Sequence, residues 1–94
     1  MLIYEWDPDK AAANFEKHGV TFEEAATVFD DPFEVTIPDP DRPEYRYITI
    51  GLSASGSGRR LVVVYADWEH TIRLISARTA TPRERRHYET KRSR

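Results

Sequence analysis

The chain has no cysteine in 94 residues, which excludes a disulfide framework and a thiolate metal site. Its three histidines, His18, His70 and His87, are too dispersed for a recognisable zinc motif. No apolar run approaches the ~20 residues that span a bilayer. The opening MLIYEWDPDK has no basic region ahead of a long apolar segment, so it does not read as a secretory signal. The cytoplasm is the expected compartment. Also absent are a P-loop, GxGxxG, GxSxG and HExxH. Ninety-four residues suffice for one small domain with a thin core, which a partner would enlarge.

Charge is present but uneven. The formal net charge is −2. Residues 1–58 carry 12 acidic and 4 basic side chains, and residues 59–94 carry 4 acidic and 10 basic. Six of those ten basic residues fall between Arg83 and Arg94. A basic segment on an acidic chain suits an anionic partner on one face, or attraction between the two halves of the fold.

The pattern centres on RRLVVVYADWEHTIRLISAR, Arg59 to Arg78. Leu61–Tyr65 is apolar on both alternating rows, as in a central strand covered on both sides. Ala66–His70 is expected to connect it to a second strand over Thr71–Arg78. By parity Ile72, Leu74, Ser76 and Arg78 share one row, so Arg78 ends an otherwise core-facing row. Arg73 then faces the opposite side unless a bulge intervenes.

Before this hairpin, Leu2–Trp6 reads as a short strand. Asp7-Pro8 starts a helix and Gly19 stops it, with Ala11, Phe15 and His18 as the inner stripe. Thr21-Phe22-Glu23-Glu24 is a capping box that opens a second helix. Phe22, Ala25, Ala26 and Phe29 form its apolar face, and Asp30-Asp31-Pro32 ends it. Strands follow at Phe33–Ile37 and Glu44–Leu52, with a proline-rich loop between them. Ser53–Gly58 is a flexible hairpin connection. Thr81 caps, and Pro82 opens, a nearly all-polar last helix running to about Lys91. The order is β-α-α-β-β-β-β-α, an α+β domain over residues 1–94 built on a central antiparallel sheet.

Polar residues at element ends are the candidates for chemistry. Lys17 and His18 suit the negative end of a helix dipole, which accounts for both without function. Together they are also a cation beside a neutral-pH acid/base group, as RNA cleavage requires. Arg46, Arg73 and Arg78 lie on strands, and arginine's planar fork matches phosphate in bidentate fashion. A strand-end arginine is otherwise a cation that snorkels to water. Glu84, His87 and Tyr88 occupy neighbouring positions of the last helix. They make either a solvated, salt-bridged surface or, through Glu84 and Tyr88, a wall of the cleft that holds Arg78. Trp6 and Trp68 read as core or interface residues rather than base platforms.

The segments EWDPDKAAANFEKHGVTFEEAATVFDDP (Glu5–Pro32), RYITIGLS (Arg46–Ser53), GRRLVVVY (Gly58–Tyr65) and IRLISARTATPRERRHYE (Ile72–Glu89) resemble the BrnT family of bacterial type II toxins. The resemblance implies a compact, RelE-like, metal-independent ribonuclease that blocks translation, with no metal or organic cofactor. It implies a BrnA-type ribbon-helix-helix antitoxin as partner, with two toxins on an antitoxin dimer and DNA bound only through the antitoxin. The residues that carry over as catalytic candidates are Lys17, His18, Arg46, Arg78, Glu84 and Tyr88. Among them Arg78 stands for phosphate or transition-state contact, Lys17 and His18 for proton transfer or phosphate contact, and Glu84 for positioning Arg78. Many members have lysine directly after the ISAR arginine, where this chain has Thr79. The loop before Arg46 often holds a histidine, and here reads Arg42-Pro43-Glu44-Tyr45. Both departures bear on catalysis. The alternative is therefore a catalytically degenerate partner acting in antitoxin binding and co-repression. A general RNA-binding domain is a third reading, which the acidic first half disfavours.

Overall fold

The computed structural model describes residues 2–92; Arg94, the last of the basic tail, lies outside them. The elements are β1 (Ile3–Glu5), α1 (Pro8–His18), α2 (Phe22–Ala26) with a 3₁₀ turn (Thr27–Asp30), β2 (Val35–Pro38), β3 (Arg46–Leu52), β4 (Arg60–Trp68), β5 (Thr71–Thr79) and α3 (Pro82–Arg92). The order matches the expected β-α-α-β-β-β-β-α. The sheet runs β1-β5-β4-β3-β2. Strands β2 to β5 form the expected antiparallel meander. However, β1 adds to the edge parallel to β5, so the sheet is mixed. No helix among the described residues is long and apolar enough to cross a membrane.

Local signals place most boundaries. Asp7 caps α1 by accepting the Asp9 N–H at 2.8 Å, and Gly19 ends it in the left-handed region at φ 69°. The expected five-residue connection after Tyr65 is shorter, because β4 continues to Trp68. Glu69 and His70 then turn the chain with φ of 47° and 71°, the positive values that tight hairpin turns require.

Two local readings need correction. Thr21 accepts the Glu24 N–H, but the Glu24 side chain does not return to close a capping box. It binds Arg59, and it accepts from Ser55 and Ser57 at 3.1 and 2.7 Å, which fixes the Ser/Gly connection to α2. Phe15 is 54% exposed, and Asn14 takes the inward position expected of it.

The reason lies in the sheet. Strand β1 stops opposite Arg73, so the outer edge of β5 beyond it has no neighbouring strand. At Ala77 the Asn14 amide fills that place. Its Nδ2 donates to Ala77 O at 2.9 Å and to Val20 O at 3.0 Å, and its Oδ1 accepts from Ala77 N at 3.0 Å. An asparagine amide thus stands in for a strand peptide and pins α1 to the edge.

The core fills the helix-covered side of the sheet. Val20, Phe22, Ala25 and Val28 pack on Leu61, Val63, Tyr65, Ile72, Leu74 and Ala77. Trp6 meets Phe22 edge-on at 5.9 Å, and Phe29 meets Tyr65 at 4.8 Å.

Asn14→Leu keeps the volume but strands two carbonyls and an N–H in the interior. The expected cost is about 2–4 kcal/mol. At ~4–8 °C per kcal/mol for a domain this small, calorimetry should show a fall in Tm of roughly 10–30 °C. Phe15→Ala should cost much less, about 1 kcal/mol or below, since more than half of the side chain is exposed.

Candidate functional site

The opposite face of the sheet is the open one. Its rows follow from the registers: Val35–Ile50–Val62–Arg78, Ile37–Ile48–Val64–Ser76, and Arg46–Ala66–Arg73–Glu5. Helix α3 lies over one end only, so β4 is covered on both sides there and not along its length. What remains is a groove of about 220 Å³ floored by the valines and isoleucines of β2, β3 and β4 and walled by Arg78, Glu84 and His87.

Arg78 reaches this face through a bulge. Tyr65 pairs with Leu74 while Val64 pairs with Ser76, so Ile75 is an extra residue in β5. The bulge reverses the parity beyond it. Ala77, and not Arg78, continues the core row of Ile72 and Leu74. Arg73 and Arg78 consequently share one face. They lie at opposite ends of it, with Arg73 paired to Glu5 at 3.5 Å.

Helix α3 is almost entirely polar, and specific bonds dock it. Tyr88 is fully buried and donates its hydroxyl to Asp31 Oδ2 at 2.5 Å. Asp31 also accepts the Phe33 and Leu52 N–H groups at 2.9 and 2.8 Å. Burial alone would raise the Asp31 pKa, but the Tyr88 hydroxyl and these two N–H donors hold it below the ordinary value. Burial, together with the same bond, pushes the Tyr88 hydroxyl up to about 12. Arg60 pairs with Glu89 at 2.7 Å, and Lys91 donates to Glu34 O at 2.5 Å. The expectation that Tyr88 shares the cleft with Arg78 is therefore corrected: Tyr88 anchors the helix, and His87 lines the groove instead.

Glu84 joins helix and sheet. Thr81 and Glu84 form a complete capping box, with Glu84 N–H donating to Thr81 Oγ1 at 3.2 Å and Thr81 N–H donating to Glu84 Oε1 at 2.9 Å. The same carboxylate takes a fork from Arg78, Nη1 to Oε1 at 2.7 Å and Nη2 to Oε2 at 2.9 Å. The Arg78 fork holds the Glu84 pKa down to about 2, and Glu84 raises that of Arg78. At neutral pH the pair stays fully ionised. Glu84 is thus too weak a base to carry protons, whereas Arg78 is a fixed cation.

The other candidates are spread out. Arg46 starts β3 on the open face, four residues from Ile50 or ~13 Å along the strand. Its Nε–H is buried without an acceptor. Lys17 and His18 end α1, one turn past Asn14 and beside the edge of β5. None of the hydrogen bonds or ion pairs among the described residues joins them to Arg78, Glu84 or His87. No group of three His, Cys, Asp or Glu side chains among the described residues is arranged to hold a metal ion. His87 was the position least legible from sequence. Its signal was the three-residue spacing from Glu84, which places both on one helix face.

Comparison with known proteins gives the family. The profile of the family described as "Ribonuclease toxin, BrnT, of type II toxin-antitoxin system" matches residues 6–84. Among solved structures, the 1.1 Å crystal structure of the Brucella abortus ribonuclease toxin BrnT is similar, at TM-score 0.67 and 20% identity. The match covers 86% of this chain and 99% of that one. At that identity the likeness concerns the fold. A search of curated proteins found no match.

Glu24 and Glu84 set the acid stability. Arg59 holds the Glu24 pKa, like that of Glu84, at about 2 against an ordinary 4.5. A depressed carboxylate contributes its full stability above its unfolded pKa and loses it as pH falls through the folded one. Thermal midpoints should therefore drop between about pH 4.5 and pH 2, with the depressed Asp31 adding to the fall, while the raised Glu34 makes a smaller opposite contribution above pH 4.5. Glu24→Gln and Glu84→Gln should each lower the neutral-pH midpoint and shallow the acid decline.

Proposed function

The chain belongs to the BrnT family of ribonuclease toxins of type II toxin–antitoxin systems, and on that premise we propose that it cleaves RNA without a metal on the open face of its sheet, and so inhibits translation. The observation that carries this reading is the Arg78–Glu84 fork, which holds a permanent cation at the mouth of the groove. In the proposed reaction the 2′-oxygen attacks the adjacent phosphorus. The new O2′–P bond forms as the P–O5′ bond breaks, leaving a 2′,3′-cyclic phosphate and a 5′-hydroxyl. A base accepts the 2′-hydroxyl proton, an acid returns one to O5′, and a cation stabilises the charge that gathers on the phosphoryl oxygens.

Arg78 takes the last role with the N–H groups that Glu84 leaves free. Glu84 is a positioning residue. His87, which lines the same groove as Arg78 and Glu84, is the residue proposed to transfer protons. Lys17 and His18, at the end of α1 on the core side of the sheet, are the alternative to His87 for that function and not a second contributor. Tyr88 keeps α3 in place. The natural brake is proposed to be a ribbon-helix-helix antitoxin, with two copies of this toxin domain on its dimer. DNA is contacted through the antitoxin alone, and the toxin acts in the cytoplasm as a RelE-like domain.

With EDTA present, the purified protein should cleave a labelled RNA. Arg78→Ala should lower the rate by roughly 10²–10³, in line with removal of one transition-state donor. Arg78→Lys should not restore it, because an ammonium lacks the fork that Glu84 engages. His87→Ala should abolish one limb of the pH–rate profile while His18→Ala leaves both. The reverse result would move proton transfer to α1. Absence of cleavage with and without ribosomes would favour the degenerate, antitoxin-binding reading.

A further inference from the structure

Trp68 is 70% exposed at the end of β4, and none of the aromatic ring pairs among the described residues includes it. Trp6, by contrast, is packed on Phe22. Trp68 shares its row with Thr71 of β5 and Ile3 of β1. By strand parity that row belongs to the open face, the face of Val62, Val64 and Arg78. One row inward stand Arg46 and Arg73, on either side of Ala66 with its small side chain. Arg73 has an exposed 3.5 Å pairing with Glu5, a geometry worth little in water and readily exchanged for a phosphate. Arg46 is half-buried with its Nε–H turned inward, and none of the ion pairs among the described residues includes it. Six residues of β4, ~20 Å, separate Trp68 from Val62, the partner of Arg78.

An exposed ring, two cations, an apolar floor and a fixed arginine thus lie along one line on one face. Aromatic platforms with cations tracking the backbone are how proteins hold single strands without reading sequence. Resting on the RNA-cleaving reading above, we propose that the open face is a single-stranded RNA track. Trp68 stacks one base several nucleotides from the bond held at Arg78, and Arg46 and Arg73 grip the intervening phosphates.

The test is fluorescence anisotropy with labelled 2′-O-methyl oligoribonucleotides, which bind and cannot be cleaved. The native protein should gain affinity as the oligonucleotide is lengthened from two to about eight nucleotides, a length within the usual site sizes of single-strand grooves. Trp68→Ala should lose that gain, with roughly 5- to 100-fold weaker binding of the long form, and Trp68→Phe should retain most of it. Arg46→Ala and Arg73→Ala should each reduce the slope of log affinity against log salt by about one. Because Trp68 is exposed, its variant should keep the native melting temperature. Native binding that is unchanged in Trp68→Ala would overturn the track and leave the ribonuclease reading standing. Absence of oligonucleotide binding by the native protein would overturn the track, and absence of RNA cleavage with and without ribosomes would overturn the ribonuclease reading as well. Unchanged RNA affinity with loss of antitoxin binding or self-association would make the row a protein-docking surface instead.

Discussion

The carboxylate of Glu84 is the hinge pin of this molecule. It closes the capping box that starts α3, and it takes both terminal nitrogens of Arg78 at the end of β5. Helix α3 has no apolar stripe of its own and would not sit on the sheet through burial alone. Glu84 at its first turn, Tyr88 on Asp31 at its middle and Lys91 on the Glu34 carbonyl near its end hold it there. These bonds leave the rest of the sheet's face open. The same contact that ends the fold therefore defines the proposed site.

The two faces divide the labour. One carries the core and both N-terminal helices, with Asn14 completing the edge that β1 leaves unfinished. The other presents apolar side chains flanked by arginines. The chain's charge asymmetry acquires meaning here: Arg60, Arg73, Arg78 and the arginines of α3 come from the basic second half. Part of that charge is spent within the fold, since Arg59 binds Glu24 and Arg60 binds Glu89. Arg59–Glu24 and Arg73–Glu5 join the basic half to the acidic one, Arg60–Glu89 lies within the basic half, and Arg78 is the arginine proposed to meet an anionic partner.

What was legible in the sequence was what depends on near neighbours. Asp7-Pro8, Gly19 and Thr81-Pro82 announce helix ends because the capping partners lie within a few residues. The strands announce themselves by alternation, and the order of elements followed. Nothing local marks Ile75 as an extra residue, yet that bulge decides which face Arg78 occupies. The inward turn of Asn14 and the anchoring role of Tyr88 were missed for a related reason. Periodicity assigns polar side chains outward, and only the missing strand beside Ala77, or the buried Asp31, turns these two inward. Glu24 has the right spacing for a capping box, but Arg59, far along the chain, is the stronger partner. His87 became a candidate once α3 was docked, because docking places it on the groove that Arg78 lines.

On the proposed reading, RNA lies on the open face with its scissile phosphate at Arg78. Proton–nitrogen NMR of the protein with a non-cleavable 2′-O-methyl oligonucleotide tests it directly. The Arg78 guanidinium, the Trp68 indole and the β3–β5 amides beside the groove should shift on titration, while the α1 and α2 amides of the core side stay fixed. Shifts confined to the end of α1 around Lys17 and His18, with Arg78 unmoved, would contradict it.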